Sequence, residues 1–427
     1  MWQAISGPLT VLLIAYFFTP AEQGFYFTFS SILGLQVFFE MGLAFVLLQF
    51  ASHAFSALLW LPEGGISGEP QSLKKFHHFV YSSIKWYGIV SVFFSLALVP
   101  AGIFFLAQHA PPANSFSWIL PWILLVLSSS LNLSLSPIFS IAEGSRKIEE
   151  VVRVRLVQGI VGTIASWATL LGGGGLYFAV ANSFSAFCVG LYWALIRRPE
   201  LIDIYLKIRH EKFKYTSDFS WRNEIWPLQW RIAISWGSGY FINQLFTPLL
   251  FHFNGPVDAG RMGMTLTVIN IMGGIALSWI STKMPVFGNL IVKKDWKSLD
   301  ALFWRSFRES LFVLILGFSG ILFLLLLIQN FPTKSRLLPG PQIVILLAAF
   351  IGNHIIASLA LYLRAHKKDP FVWLSLGGAF LMGMTSFALG KNYGSLGICA
   401  GIFMVNIFYG LPTTLWVWYN LKNSWHS

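Results

Sequence analysis

The stretch Phe79–Ala107, FVYSSIKWYGIVSVFFSLALVPAGIFFLA, holds one charged residue, Lys85, near its start, and Lys74 and Lys75 stand just before it. It exceeds the roughly 20 apolar residues that a helix needs to cross about 30 Å of hydrocarbon. It therefore reads as a membrane span that begins on the basic side. Working outward gives twelve such spans: Trp2–Phe18, Phe25–Phe50, Phe79–Ala107, Phe116–Ala142, Arg155–Leu171, Gly175–Ile196, Arg231–Phe253, Ala259–Lys283, Glu309–Gln329, Gly340–Leu363, Pro370–Gly390 and Gly394–Asn420.

With both termini in the cytoplasm, all but four of the 29 lysines and arginines fall in inner loops; Arg261, Lys334, Arg336 and Lys391 are the exceptions. Basic residues in short loops stay on the cytoplasmic side, so the bias fixes the orientation. The expected fold is all-α and polytopic. Composition agrees, with 56% hydrophobic and 11% charged residues, where a soluble domain carries about 25% charged. The net charge of +12 is spread over six inner loops, as orientation requires, so no nucleic-acid partner is expected. Cys188 and Cys399 lie in separate spans and predict neither a disulfide nor a metal site. The first span lacks the basic start and small-residue cleavage site of a signal peptide, so it is expected to be retained. Its shortness suggests a start codon set too far downstream or a tilted helix bent at Pro8.

No phosphate-binding loop of the Walker type is present, and the longest polar stretch, 197–230, is too short for an ATPase fold, so transport would draw on gradients or on another chain's work. Within that stretch Leu201, Ile204, Tyr205 and Ile208 recur at helical spacing among Lys207, Arg209, Lys212 and Lys214, which predicts an interfacial helix on anionic lipid. Trp296, Leu299, Phe303 and Phe307 predict a second one.

An internal repeat marks the outer loops. Pro20-Ala21-Glu22-Gln23-Gly24 precedes span two, and Pro256-Val257-Asp258-Ala259-Gly260 precedes span eight. Pro fixes the turn, the acid caps the following helix and Gly permits a tight bend. Six spans separate the copies, which implies a parallel repeat: an N-terminal six-helix lobe at 1–196, a cytoplasmic amphipathic linker at 197–230 and a C-terminal six-helix lobe at 231–427.

The run Phe18-Thr19-Pro20-Ala21-Glu22-Gln23-Gly24-Phe25-Tyr26, with Gln36, Glu40-Met41-Gly42 and Gln49-Phe50-Ala51-Ser52-His53, resembles the opening of Wzx-type lipid-linked oligosaccharide flippases. These belong to the multidrug/oligosaccharidyl-lipid/polysaccharide (MOP) exporter superfamily. Trp226-Pro227-Leu228-Gln229-Trp230-Arg231, Ser235-Trp236, Gly239-Tyr240-Phe241 and Ser278-Trp279-Ile280-Ser281-Thr282-Lys283 resemble further relatives in that group. The resemblance implies two lobes around a cavity that opens alternately to either side. It also implies a polyprenyl-pyrophosphate glycan as substrate, a role in surface polysaccharide or O-antigen biosynthesis, and a place in the bacterial inner membrane beside glycan-assembly proteins. No cofactor is implied. The basic residues that such flippases usually carry within their cavity are almost absent from these spans.

Charge at membrane depth is costly, so each buried ionisable group is a candidate. Glu40, one turn after Gln36, reads either as a proton or cation site coupled to lobe movement or as a structural carboxylate that pairs with a basic loop residue or caps a helix. His354, beside Asn353, reads as part of a proton route or as an interhelical hydrogen bond, and His252 carries less weight. Arg231 and Lys283, at inner mouths, are candidates for substrate phosphate, against a plain orienting role. Arg261 reads as a partner of Asp258 or a headgroup contact. Asn132, Asn182, Asn243, Gln244, Asn270 and Asn406 read as interhelical bonds or glycan contacts, and Pro137, Pro248 and Pro412 as kinks.

A cation-coupled multidrug exporter of the same superfamily is the nearest alternative function. A membrane glycan polymerase or ligase would need catalytic groups in the outer loops, which hold only Glu22, Asp258 and four basic residues, so no enzyme is expected.

Overall fold

The computed structural model describes residues 2–61, 64–111, 115–210, 220–327, 336–366 and 370–426. Helices dominate, in the order α1 (Trp2–Phe17), α2 (Pro20–Leu33), α3 (Gln36–Glu40), α4 (Leu43–Ala54), α5 (Pro70–Leu106), α6 (Ile119–Gly144), α7 (Ile148–Leu171), α8 (Tyr177–Arg197) and α9 (Pro199–His210). There follow α10 (Trp221–Glu224), α11 (Trp226–Asn243), α12 (Phe246–Asn254), α13 (Pro256–Ser281), α14 (Met284–Val292), α15 (Trp296–Leu327), α16 (Gly340–Arg364), α17 (Val372–Met404) and α18 (Leu411–His426). One two-stranded antiparallel hairpin, β1 (Leu58–Trp60) and β2 (Ile66–Gly68), pairs Leu59 with Ser67.

Eight helical stretches among the described residues are long and apolar enough to cross a membrane, and a ninth is the pair Pro20–Glu40 and Leu43–Ala57, bent by 45°. The protein is an all-α, multi-pass membrane protein. Among the described residues each of the twelve expected spans falls on helix, but not always on one unbroken helix. The first is the short α1, and the seventh is divided between α11 and α12. The stretch Val372–His426 holds two expected spans, parted at Gly394, whose φ of 57° no helix accommodates.

The described chain groups into two compact units. One comprises residues 32–237, where α6 packs against α4, α5 and α8, and α7 lies along α8. Trp122 is fully buried there over Gly102, and its indole nitrogen donates to the Val99 carbonyl at 3.2 Å. The other comprises residues 3–31 and 238–427, where α13 packs against α12, α15 and α16, and α16 against α17 and α18. Its core joins Ile280, Phe287, Phe303, Tyr362 and Leu363. The boundaries fall within α2 and α11, so residues 3–31 group with 238–427 and not with 32–237.

Two expected interfacial helices are placed differently. α9 forms, but Leu201 and Ile204 are buried and Tyr205 stacks on Tyr81 of α5 at 5.5 Å, so its apolar stripe meets protein and not lipid. The expected helix around Trp296–Phe307 is the first part of α15, where Leu299 and Phe303 are fully buried against Phe287 and Tyr362. An apolar stripe looks the same in sequence whichever of the two it meets. Of the three prolines expected to kink spans, Pro137 lies within the continuous α6 and Pro248 follows the α11–α12 break. Pro412 follows a π-helical turn, Val405–Gly410. Proline offers no N–H to the preceding turn, and the wider π turn absorbs that loss.

Candidate functional site

The two repeated Pro-x-acid-x-Gly turns meet. At the first, Thr19 and Glu22 form a reciprocal capping box ahead of α2: the Thr19 N–H donates to the Glu22 carboxylate at 2.8 Å, and the Glu22 N–H donates to Thr19 Oγ1 at 3.2 Å, with Pro20 at the first helical position. At the second, Gly255 precedes Pro256 with a φ of 88°, and Asp258 pairs with Arg261 at 3.2 Å. The two helix starts then cross backbone to backbone. A Cβ on Gly24 would overlap the Pro256 carbonyl, and one on Gly260 would lie 2.8 Å from the Gly24 nitrogen. Gln23, 1% exposed, bridges the crossing by donating to the Gly260 carbonyl at 2.8 Å and to the Arg336 carbonyl at 3.0 Å. Burial pushes the Arg336 guanidinium below its ordinary range, and the Glu22 carboxylate pushes it back up.

Glu40 closes the short α3, next to two consecutive left-handed residues, Met41 at φ 50° and Gly42 at φ 65°. Left-handed backbone costs a non-glycine residue about 1–2 kcal/mol. The bend therefore sits where a helix would otherwise run straight through an apolar sequence. A Cβ on Gly42 would overlap Ile232, so glycine also allows the close approach of α11. The fully buried Tyr87 of α5 donates its hydroxyl to Glu40 Oε1 at 3.0 Å. No basic residue pairs with Glu40 among the described residues. In the same unit Ser130 of α6 donates to the Ser91 carbonyl of α5 at 2.6 Å.

His354, 5% exposed, lies 2.9 Å from Ser310 Oγ through its Nε2, and Ser310 donates to the Ala276 carbonyl at 2.6 Å. These bonds tie α13, α15 and α16 together. His252 is exposed at the end of α12 with its ring against Phe253. Lys283 is exposed between α13 and α14. Arg231 lies in α11 within the other unit, and its side chain lies outside the described residues, as do Lys334, Lys367, Lys368, Lys212 and Lys214. Asn132 joins α6 to α8 by donating to the Ser183 carbonyl at 2.7 Å, and Asn182 lies against Gly162 of α7. Asn243, Asn353 and Asn406 line one cavity of about 330 Å³.

The sequence reading found Glu40 and His354 but not their partners Tyr87 and Ser310, nor the Gln23 bridge. Gln23 had a signal, since it lies inside the repeat.

Several solved structures match nearly the whole chain. A lipid II flippase MurJ in an inward closed conformation matches with a TM-score of 0.65 at 13% identity, over 97% of this chain and 85% of that one. A multidrug resistance MATE family transporter of the MOP superfamily matches in its inward-facing conformation with a TM-score of 0.59 at 12% identity, over 98% of this chain and 99% of that one. An outward-facing conformation of such a transporter gives 0.55 at 12% identity, over 98% and 93%. No family model and no curated protein sequence matches. The chain has the fold of MOP-superfamily transporters.

Proposed function

We propose that the protein is a membrane transporter that moves a lipid-linked oligosaccharide, a polyprenyl-pyrophosphate glycan, across the bacterial inner membrane by alternating access, for cell-surface polysaccharide biosynthesis. The observation that carries this reading is the match over almost the full chain to a lipid II flippase, with a higher TM-score than the MATE transporters give. Two six-helix lobes, 1–196 and 231–427, rock about the linker 197–230, with both termini cytoplasmic. The backbone contact of α2 with α13 at Gly24 and Gly260 is the contact that an outer-closed state would make, and it accounts for residues 3–31 grouping with 238–427. Glu40, at a bend and hydrogen-bonded to a tyrosine, is the proton-coupling group, with His354 as the second candidate. Arg231 and Lys283 meet the substrate's phosphates, and Arg261 meets outer headgroups.

Proteoliposomes loaded with a fluorescent polyprenyl-pyrophosphate glycan test this. Wild-type protein should deliver the lipid to a leaflet where an external quencher reaches it, and a rate equal to that of empty vesicles rejects the reading. The fold match to MATE transporters and the membrane carboxylate Glu40 favour one other reading, a cation-coupled multidrug exporter. Ethidium efflux without lipid movement would select it.

A further inference from the structure

Within the unit of residues 238–427 a cavity of about 330 Å³ lies between α11, α16, α17, α18 and the π turn. It runs from mid-span, at Asn243 and Asn406, to the C-terminal end of α16, where the exposed Arg364 stands. Its lining is unusual for membrane depth. Asn243, Asn353, Asn406, Tyr409 and Thr413 line it, and among the described residues Arg364 is its one charged residue and no carboxylate lines it. A pocket for an organic cation would require the opposite charge.

Local backbone builds this wall. Pro412 accounts for the π turn, which sets Asn406 and Tyr409 on the cavity wall, and Gly377 leaves the room that Tyr409 fills, since a Cβ there would overlap the phenol oxygen. The Tyr409 hydroxyl then donates to the Leu374 carbonyl at 3.3 Å, which fixes the ring as a flat wall. Asn243 donates to the Gly239 carbonyl at 2.9 Å, and Asn406 reaches the Ala349 carbonyl only at 3.5 Å. Asn353, half-buried, makes no side-chain hydrogen bond among the described residues. Its amide is therefore free to donate to and accept from a group bound in the cavity.

We propose that this cavity binds a hydroxyl-bearing group joined to a phosphate, with Arg364 on the phosphate and the asparagines on the hydroxyls. The volume, at the small end of ligand pockets, suits one sugar ring or a glycerol and excludes a whole oligosaccharide. Apolar Ile356 and Met382 and the face of Tyr409 cover the ring's carbon side. Arginine holds phosphate through a planar fork, and amides both donate to and accept from hydroxyls. Two lipids carry this chemistry, the sugar-phosphate end of the glycolipid and a resident phosphatidylglycerol. Only the choice of the glycolipid rests on the flippase reading; the site itself does not.

The test is calorimetric titration of the full chain in phosphatidylcholine nanodiscs with three probes: a short-chain polyprenyl-phosphate sugar, the same polyprenyl phosphate without sugar, and short-chain phosphatidylglycerol. Arg364→Gln and Asn353→Leu should each weaken a bound probe about tenfold, as loss of one charge-assisted or buried hydrogen bond does. Arg305→Gln, at an exposed pair with Glu309, should change nothing. Loss confined to the sugar probe supports the glycolipid, and loss confined to phosphatidylglycerol supports a resident lipid. Equal binding of polyprenyl phosphate with and without sugar overturns the role of the asparagines, and unchanged affinity in both variants overturns the site. Thr413→Val replaces Asn353→Leu should that variant not insert. Wild-type flipping with unaltered binding in the variants rejects this site alone, whereas glycolipid binding in a chain that never flips rejects the transport reading alone.

Discussion

The segments Pro20–Ala54 and Pro256–Val292 begin with the same Pro-x-acid-x-Gly turn and then diverge. At the same distance from the proline the first carries Glu40 and the second Ala276. The first breaks directly after that position, with Met41 and Gly42 left-handed and a bend of 45°, while α13 continues unbroken to Ser281. The first offers a carboxylate to the Tyr87 hydroxyl, the Gln36 side chain and the Ala44 backbone. The second offers a backbone carbonyl to Ser310, which is held in turn by His354. A shared turn therefore leads into a jointed helix with a carboxylate in one half and an unbroken helix clasped through a serine and a histidine in the other. Coupling to protons is expected from the first half, at Glu40.

The largest effect should come from breaking what the halves share. Gly24→Val places side-chain atoms on the Pro256 carbonyl, where only backbone could yield. Overpacking of this kind costs about 1–3 kcal/mol, so transport should fall at least about tenfold, read by the flipping assay. Gly239→Ala, which meets nothing within 4 Å, should leave transport unchanged. Next in size is the difference in chemistry. Glu40→Gln keeps the shape and removes the charge, so transport measured from acid to neutral pH should lose its pH dependence. Ser310→Ala should lower thermal stability by about 1–2 kcal/mol, the cost of one buried hydrogen bond, and leave the pH profile as it was. A pH profile that follows Ser310 and ignores Glu40 would reverse the comparison.

The joint gives a third test. Gly42→Ala must adopt left-handed backbone and displace Ile232, a loss of at least about 1–2 kcal/mol in unfolding stability. Ser278 is its counterpart in α13 by distance from the proline, and its hydroxyl only returns to the Ile275 carbonyl. Ser278→Ala should stay within about 0.5 kcal/mol of wild type. Equal losses at both positions would mean that the joint is not a special feature of the first half.

The all-α membrane fold was legible because apolar runs act locally, each span carrying its own length. The outer repeat was legible for the same reason, and so were Glu40 and His354, as polar residues in apolar surroundings. The bend at Met41–Gly42 was not, since the residues from Val37 to Phe50 read as one apolar run and a single glycine does not announce a break. Partners were hidden by separation. Tyr87 reaches Glu40 from another helix, and the cavity gathers Asn243, Asn353 and Asn406 from three elements. Pro412 signalled a disturbance, but sequence does not distinguish a kink from the π turn that shapes the cavity wall.

The smallest effect separates the two turns themselves. Glu22 returns a hydrogen bond to the Thr19 N–H, so Glu22→Ala leaves a helix start with an unmet donor, at about 1 kcal/mol. Asp258 makes an ion pair with Arg261 in which both side chains are about one third exposed, 31% and 33%, and pairs of that kind contribute about 0.5 kcal/mol. Asp258→Ala should therefore cost less than Glu22→Ala in thermal unfolding, and added salt should narrow the loss at Asp258 more than the loss at Glu22. The reverse order would show that the acid of the second turn, and not the first, holds the crossing at Gly24 and Gly260 in place.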